Sequence, residues 1–407
     1  MTPGPKSRAL AAALRQFESP NVTFLADDGS FPIFWEEAHG CTVTDADGQN
    51  YLDLTAAFGV ASIGHTNPAV SAAIAAQAQK LIHGMGDVHP SRVKVELAQK
   101  LSELTPGDLG GALFGTSGGD AVEAALKTAR VFTGKPGVVA FTGGYHGLNL
   151  GALAVTHRPD FREPFAGQIA PFAIHKPYGE FLTALPDGVG AVLVEAIQGR
   201  GGIVVPPPGW LESLKALCEK SGALLILDEI FTGWGRTGDW FACEHEGVVP
   251  DILCVGKALG GGLPISACLA RPDVMAAWGI STGEALHTST FLGNPLCCAA
   301  ALAALRELER LDAPALAKQR GAFFQEQLTR LQAQLPTKIQ AVRGRGLMLG
   351  IQLTDRFAGE LMVKLLHRGV IVLPAGEGDI LEFTPPFVIS EEEITHAVTQ
   401  LELALSK

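Results

Sequence analysis

Val255-Gly256-Lys257-Ala258-Leu259-Gly260-Gly261-Gly262 sets a lysine between a short apolar run and a glycine turn. Lys257 follows Ile252–Val255, and Asp228, 29 residues upstream, follows a second apolar run, Ala223–Leu227. Short continuous apolar runs of this kind read as buried strands of a parallel sheet. A cation and an anion at the ends of two such strands face one crevice, where open α/β sheets hold their ligands. Lysine is seldom buried without a task. Its amine can form a Schiff base with an aldehyde, and a facing carboxylate can keep a pyridine nitrogen protonated. Together they are the minimum equipment for pyridoxal phosphate chemistry.

Working outward, helical and strand patterns alternate from about residue 68 to 300, which implies crossover units and a mostly parallel sheet. Strands are expected at Gly137–Phe141, Ala191–Val194, Ala223–Leu227 and Ile252–Val255, and helices at Asp120–Val131 and Pro208–Ser221. Residues 297–335 read as a long amphipathic helical region broken near Asp312-Ala313-Pro314. The tail alternates strands (Met348–Leu353, Val370–Leu373, Ile380–Thr384) with helices (Phe357–His367, Ser390–Leu405), as in a small α+β domain. Near the start, a short helix and a polar arm lead to a hairpin over Val43–Leu54 with Asp47-Gly48 as its turn. The expected organisation is an N-terminal segment, 1–55, contributing to the small domain, a large α/β domain, 56–300, and a C-terminal small domain, 301–407.

The bulk numbers exclude several classes. With 407 residues, 47% hydrophobic and 18% charged, the chain suits a compact soluble protein rather than a disordered one. Its net charge of −11 disfavours nucleic acid and anionic membrane partners. No stretch approaches the roughly 20 apolar residues of a membrane span, and Ala9–Leu14 is too brief for a signal peptide. Seven scattered cysteines, an odd number, suit reduced thiols in a cytoplasm. Cys243 with His245, and Cys297 with Cys298, lack the further ligands a metal centre needs, so no metal is expected.

Three further segments carry chemistry. Ser117-Gly118-Gly119 opens a helix after Phe114-Gly115-Thr116, so free backbone N–H groups could cradle a phosphate. An ordinary strand–helix turn accounts for it equally well. In Phe141-Thr142-Gly143-Gly144-Tyr145-His146-Gly147 the Tyr145 ring could stack on a planar group. Equally, the tyrosine could pack on neighbours while His146 is a satisfied hydrogen bonder. The hydroxyls of His287-Thr288-Ser289-Thr290 could meet a phosphate, or could belong to a capped helix start at Asn294-Pro295.

In this order, over nearly the whole chain, the segments resemble the class III aminotransferases of the ornithine, acetylornithine and 4-aminobutyrate type. The matching stretches run from Gly64-His65-Thr66-Asn67-Pro68 to Thr384-Pro385-Pro386, with Asp228-Glu229-Ile230-Phe231-Thr232-Gly233-Trp234-Gly235-Arg236-Thr237-Gly238 the most specific. The resemblance implies a fold-type-I enzyme with pyridoxal 5'-phosphate, built as a homodimer or dimer-based oligomer. It implies that Lys257 is the Schiff-base lysine and proton shuttle and that Asp228 partners the pyridine nitrogen. Tyr145 would stack on the ring, Ile230 would cover the opposite face, and Ser117, Gly118 and Gly119 would hold the phosphate. His146 would count among the cofactor contacts, Glu195 would stand behind them, and Thr290 would reach the neighbouring subunit's phosphate. The implied reaction moves an amino group from an amino acid or amine donor to a keto or aldehyde acceptor through a pyridoxamine form. An aminomutase or racemase of the same family is the alternative.

Two positions depart from the family pattern together. The usual Gln-Gly-Glu-Gly-Gly is Gln198-Gly199-Arg200-Gly201-Gly202, and the usual arginine before Phe-x-Pro-Pro is Glu382. If the two side chains meet, they form the family's ion pair with its signs reversed. Arg200 would then clamp a substrate carboxylate, or Glu382 would receive a distal ammonium, or the pair would be structural. Phe231 stands where many relatives place glutamine.

Overall fold

The structure, a computed structural model, describes residues 3–406. Strands β1 (Trp35–His39), β2 (Thr42–Asp45) and β3 (Asn50–Asp53) form an antiparallel meander. The β2–β3 turn falls at Asp47-Gly48. The Asp45 carboxylate accepts from the backbone N–H of Asp47 (3.0 Å) and Gln49 (2.8 Å), and Gly48 takes a left-handed φ of 81°.

The large sheet holds β4 (Gly111–Gly115), β5 (Gly137–Phe141), β6 (Ala173–Lys176), β7 (Val189–Val194), β8 (Leu224–Asp228), β9 (Ile252–Val255) and β10 (Ser266–Ala270). Their spatial order is β4-β10-β9-β8-β7-β5-β6. The ladders linking β6, β5, β7, β8 and β9 are parallel, and β10 runs antiparallel to both its neighbours. The apolar runs are continuous because both faces are covered. Leu224 and Ile226 share a core with helix Gly118–Thr133, whereas Leu225 and Leu227 share one with helix Trp210–Ser221.

The remaining strands are β11 (Ile339–Arg345), β12 (Met348–Leu353), β13 (Val370–Ile371), β14 (Leu373–Ala375) and β15 (Ile380–Phe383). Four of them form an antiparallel sheet in the order β11-β12-β15-β14. The expected strand at Val370–Leu373 is divided: β13 pairs in parallel with β3, whereas β14 turns to β15. N- and C-terminal segments therefore share one sheet. Helices Pro295–Arg310 and Ala313–Gln334 are broken at Asp312, whose φ is 48°. The first crosses residue 300 and packs on helices Pro68–Ala78 and Arg92–Leu104. Among the described residues no helix is long and apolar enough to cross a membrane, and the seven cysteines are free.

Candidate active site

Strand register brings the candidate residues to one edge. Val139 lies opposite Val192, Val194 opposite Leu227, and Asp228 opposite Cys254. The segments that leave β5, β7, β8 and β9, carrying Tyr145 and His146, Glu195, Asp228 and Lys257, therefore emerge at the same end. Gly115 of β4 lies opposite Ser266, whose neighbour Ala267 faces Val255, so the Ser117 loop emerges there too. This carboxyl edge is where α/β sheets hold ligands.

Asp228 is buried, and its two carboxylate oxygens have different partners. One lies 2.8 Å from Nδ1 of His146, and the other accepts the Ile230 N–H at 3.1 Å. His146 is buried as well, and its own backbone N–H donates to Thr156 Oγ1. The structure thus puts His146 against the aspartate. Glu195, also buried, accepts the N–H groups of Tyr145 and Gly199, both at 3.0 Å. Burial raises its pKa, and those two bonds counter the rise.

Lys257 has a left-handed φ of 48°, a conformation costing an L-residue about 1–2 kcal/mol. Its ammonium lies 3.6 Å from the centroid of the Phe231 ring, a cation–π contact. Burial pulls the lysine down to about 8, against the opposing pull of Glu382, Asp228 and Glu195. The ring reaches it through two glycines. A Cβ at Gly59 would fall 2.7 Å from Phe231 Cε2, and one at Gly199 would fall 2.4 Å from Cδ1. Gly59 ends a left-handed turn, with φ of 45° at Ala56, 49° at Ala57 and 61° at Phe58. Buried Asp53 holds that turn, accepting from Thr55 N, Thr55 Oγ1 and Ala57 N.

Helix Gly118–Thr133 starts at Ser117, whose hydroxyl accepts the Asp120 N–H, while the Asp120 carboxylate accepts the Ser117 N–H in return. The N–H groups of Gly118 and Gly119 belong to the first turn, which has no intrahelical acceptor for them. Ile230 packs directly against this loop, because a Cβ at Gly118 would come 3.0 Å from its Cδ1. The Tyr145 ring is half-buried and meets Phe161 edge-on at 5.8 Å. Thr290 is exposed and makes no hydrogen bond to these groups within the chain.

Arg200 and Glu382 do not form an ion pair. Arg200 is exposed, and its guanidinium lies 5.4 Å from the ring centroids of both Tyr145 and Phe161. Glu382 is buried on β15. Sequence reading gave no role to Arg236, which is fully buried beside it. Arg236 donates to the carbonyls of Leu347 (3.1 Å) and Pro385 (2.6 Å) and to Ser62 Oγ (2.8 Å), and it covers the Phe387 ring. The available signal was an arginine between glycines in an otherwise buried stretch, Gly235-Arg236-Thr237-Gly238. Burial pushes the Glu382 carboxyl up to about 7, while Lys257, Arg200 and Arg236 pull it down. A carboxyl that holds its proton more tightly when folded loses stability as pH rises from its unfolded to its folded value. Glu382→Gln therefore gains melting temperature over the parent chain, and the gain grows from about pH 4.5 to about pH 7 and levels off above that. A gain that is flat or shrinks across that range, read by thermal melts without substrate, contradicts this environment.

A sequence model of the family Aminotransferase class-III matches residues 24–405. The acetylornithine aminotransferase of Methanopyrus kandleri is 40% identical over 378 residues, spanning 92% of this chain and 95% of that protein. Its counterpart in Methanosarcina mazei is 38% identical over 379 residues, 92% of each. The crystal structure of ornithine aminotransferase from Toxoplasma gondii superposes with a TM-score of 0.90 at 32% identity, covering 98% of this chain and 95% of that one. A second structure of that enzyme, with a TM-score of 0.89, 33% identity and coverage of 97% and 93%, is described with pyridoxal phosphate at partial occupancy in its active site. The chain belongs to the class III aminotransferases.

Proposed function

We propose that this chain moves an amino group between a small amine or amino acid and a keto or aldehyde acceptor, with pyridoxal phosphate at the carboxyl edge of β8 and β9. The carrying observation is the side-by-side emergence of Asp228 and Lys257 from neighbouring strands in register. The residues fit the cofactor. Gly118 and Gly119 let Ile230 and Asn149 pack against the start of the helix, where a Cβ would meet them at 3.0 and 2.7 Å, and their two N–H groups lie in its first turn, where a phosphate would find donors. Bound there, the cofactor supplies an aldehyde for amines and a ring that draws electrons from the carbon beside them.

The chain's own groups do the rest. The Asp228 carboxylate, fixed by His146 and the Ile230 N–H, holds a proton on the pyridine nitrogen. Lys257, near 8, is deprotonated often enough at neutral pH to take a proton from the substrate carbon and deliver it elsewhere. Tyr145 and Ile230 would bound the ring's faces, with Ser117 at the phosphate. Glu195 holds the segment carrying Tyr145 to the one carrying Gly199. Arg200 is exposed, and its guanidinium would turn from the Tyr145 and Phe161 rings to meet a carboxylate on the acceptor.

The remaining expectation concerns assembly. Leu81, Ile82, Met85, Val88, Leu286 and Phe291 are exposed apolar residues on two segments joined by Thr288–Asp87 and Asn294–His83 hydrogen bonds. We place a second copy of the chain on this patch, which would carry Thr290 to the partner's phosphate site. The free thiols suit a reducing compartment, and we place the enzyme in the cytoplasm. Equilibrium sedimentation should give a dimer, and Ile82→Asp should shift it to monomer with loss of cofactor affinity. A monomeric parent chain that holds the cofactor overturns the assembly.

For the reaction itself, Lys257→Ala and Asp228→Asn should each lower turnover roughly a hundredfold or more while the fold persists by circular dichroism. A single amino donor should convert the cofactor once and stop until a carbonyl acceptor is added. Sustained turnover on one amino acid alone would instead favour a racemase or mutase.

A further inference from the structure

Resting on the amino-transfer reading, this inference concerns which amines the site prefers. Glu382 sits on β15, an inner strand of its sheet, in register with Gly350 and Leu373. Residues two apart on a strand share a face. Ile380, on the same face, packs against the 198–204 loop, because a Cβ at Gly202 would fall 2.9 Å from Ile380 Cγ1. Glu382 thus projects from the small sheet toward the loop that carries Gly199 and Arg200, within electrostatic reach of Lys257. It is 94% buried, and its carboxylate has no hydrogen-bond or ion-pair partner among the described residues.

Each nearby cation is already engaged. Arg236 spends its donors on two backbone carbonyls and a serine hydroxyl. Arg200 lies over the Tyr145 and Phe161 rings. Lys257 points at Phe231 and is committed to the reacting carbon. A buried carboxylate left in that position is costly unless something brings it a cation or a proton. An amino donor with a second ammonium does so, since such a group is protonated at neutral pH. A donor that places a carboxylate there sets like charges together.

We propose that Glu382 is a specificity-determining residue that binds the second ammonium of the amino donor, so that the enzyme prefers diamines over monoamines and over ω-amino acids of equal length. The distance between the two nitrogens selects among diamines, because the reacting amine is fixed at Lys257.

The test uses the cofactor-loaded enzyme and matched amines: diaminopropane, putrescine and cadaverine against propylamine, butylamine and pentylamine, with β-alanine, γ-aminobutyrate and δ-aminovalerate as the carboxylate series. Conversion of the cofactor is followed spectroscopically in single turnover. Equilibrium binding of the same amines is measured by calorimetry in Lys257→Ala, where no turnover follows. At least one diamine should exceed its monoamine roughly ten- to a hundredfold in both rate constant and affinity, the range of a charge-assisted hydrogen bond. Glu382→Gln should bring that ratio to about one. Glu382→Asp should restore part of the ratio. Diamines no better than monoamines in the parent enzyme overturn the assignment, whether or not the variants fold. A ratio unchanged in Glu382→Gln does the same. If no amine or amino acid converts the cofactor at all, the amino-transfer reading falls and takes this proposal with it.

Discussion

A lysine amine and an aspartate carboxylate stand at the ends of adjacent strands, the aspartate buried and the lysine partly so, and much of the surrounding architecture serves to make that tolerable. A charge taken from water must be paired or hydrogen-bonded, or it gives up its ionisation. Asp228 meets the requirement with His146 and the Ile230 N–H. Lys257 meets it differently, with an aromatic face and a lowered affinity for its proton. The second solution demands more of the chain. Phe231 reaches the amine only because Gly59 and Gly199 lack side chains. Gly59 in turn ends a left-handed turn held by Asp53, which also binds His65 at 2.7 Å. Strain in the N-terminal hairpin region is thus tied to a lysine some two hundred residues later.

The large sheet was readable where its strands are apolar without interruption. Residues of β5, β7, β8 and β9 alternate between two covered faces, so both sets had to be hydrophobic. Strand β10, Ser266-Ala267-Cys268-Leu269-Ala270, escaped reading because small residues carry no clear period. The edge strand β6 escaped because it includes His175 and Lys176. The break at Asp312-Ala313-Pro314 was legible from proline chemistry, and Asp312 takes the left-handed conformation that interrupts the helices.

The same division holds in the site. Lysine and aspartate at strand ends were visible as types in places where they are seldom idle. The partner of His146 was not, since Asp228 lies 82 residues away and only register joins them. Arg200 and Glu382 show what charge exchange in a sequence leaves open. Opposite signs at two positions predict a pair only if nothing competes, and here the Tyr145 and Phe161 rings hold the guanidinium. The result is a positive group exposed at the surface and a negative group buried on β15, with Ile197, Ile203, Met348 and Phe231 packed together as an apolar cluster.

The central claim is that the Lys257 amine is the group that takes the cofactor's aldehyde covalently. Borohydride reduction of the enzyme after incubation with pyridoxal phosphate, followed by peptide mapping, tests it directly. The account predicts one stable adduct, on Lys257, absent in Lys257→Ala. An adduct on a different lysine, or no adduct in folded protein, would contradict it.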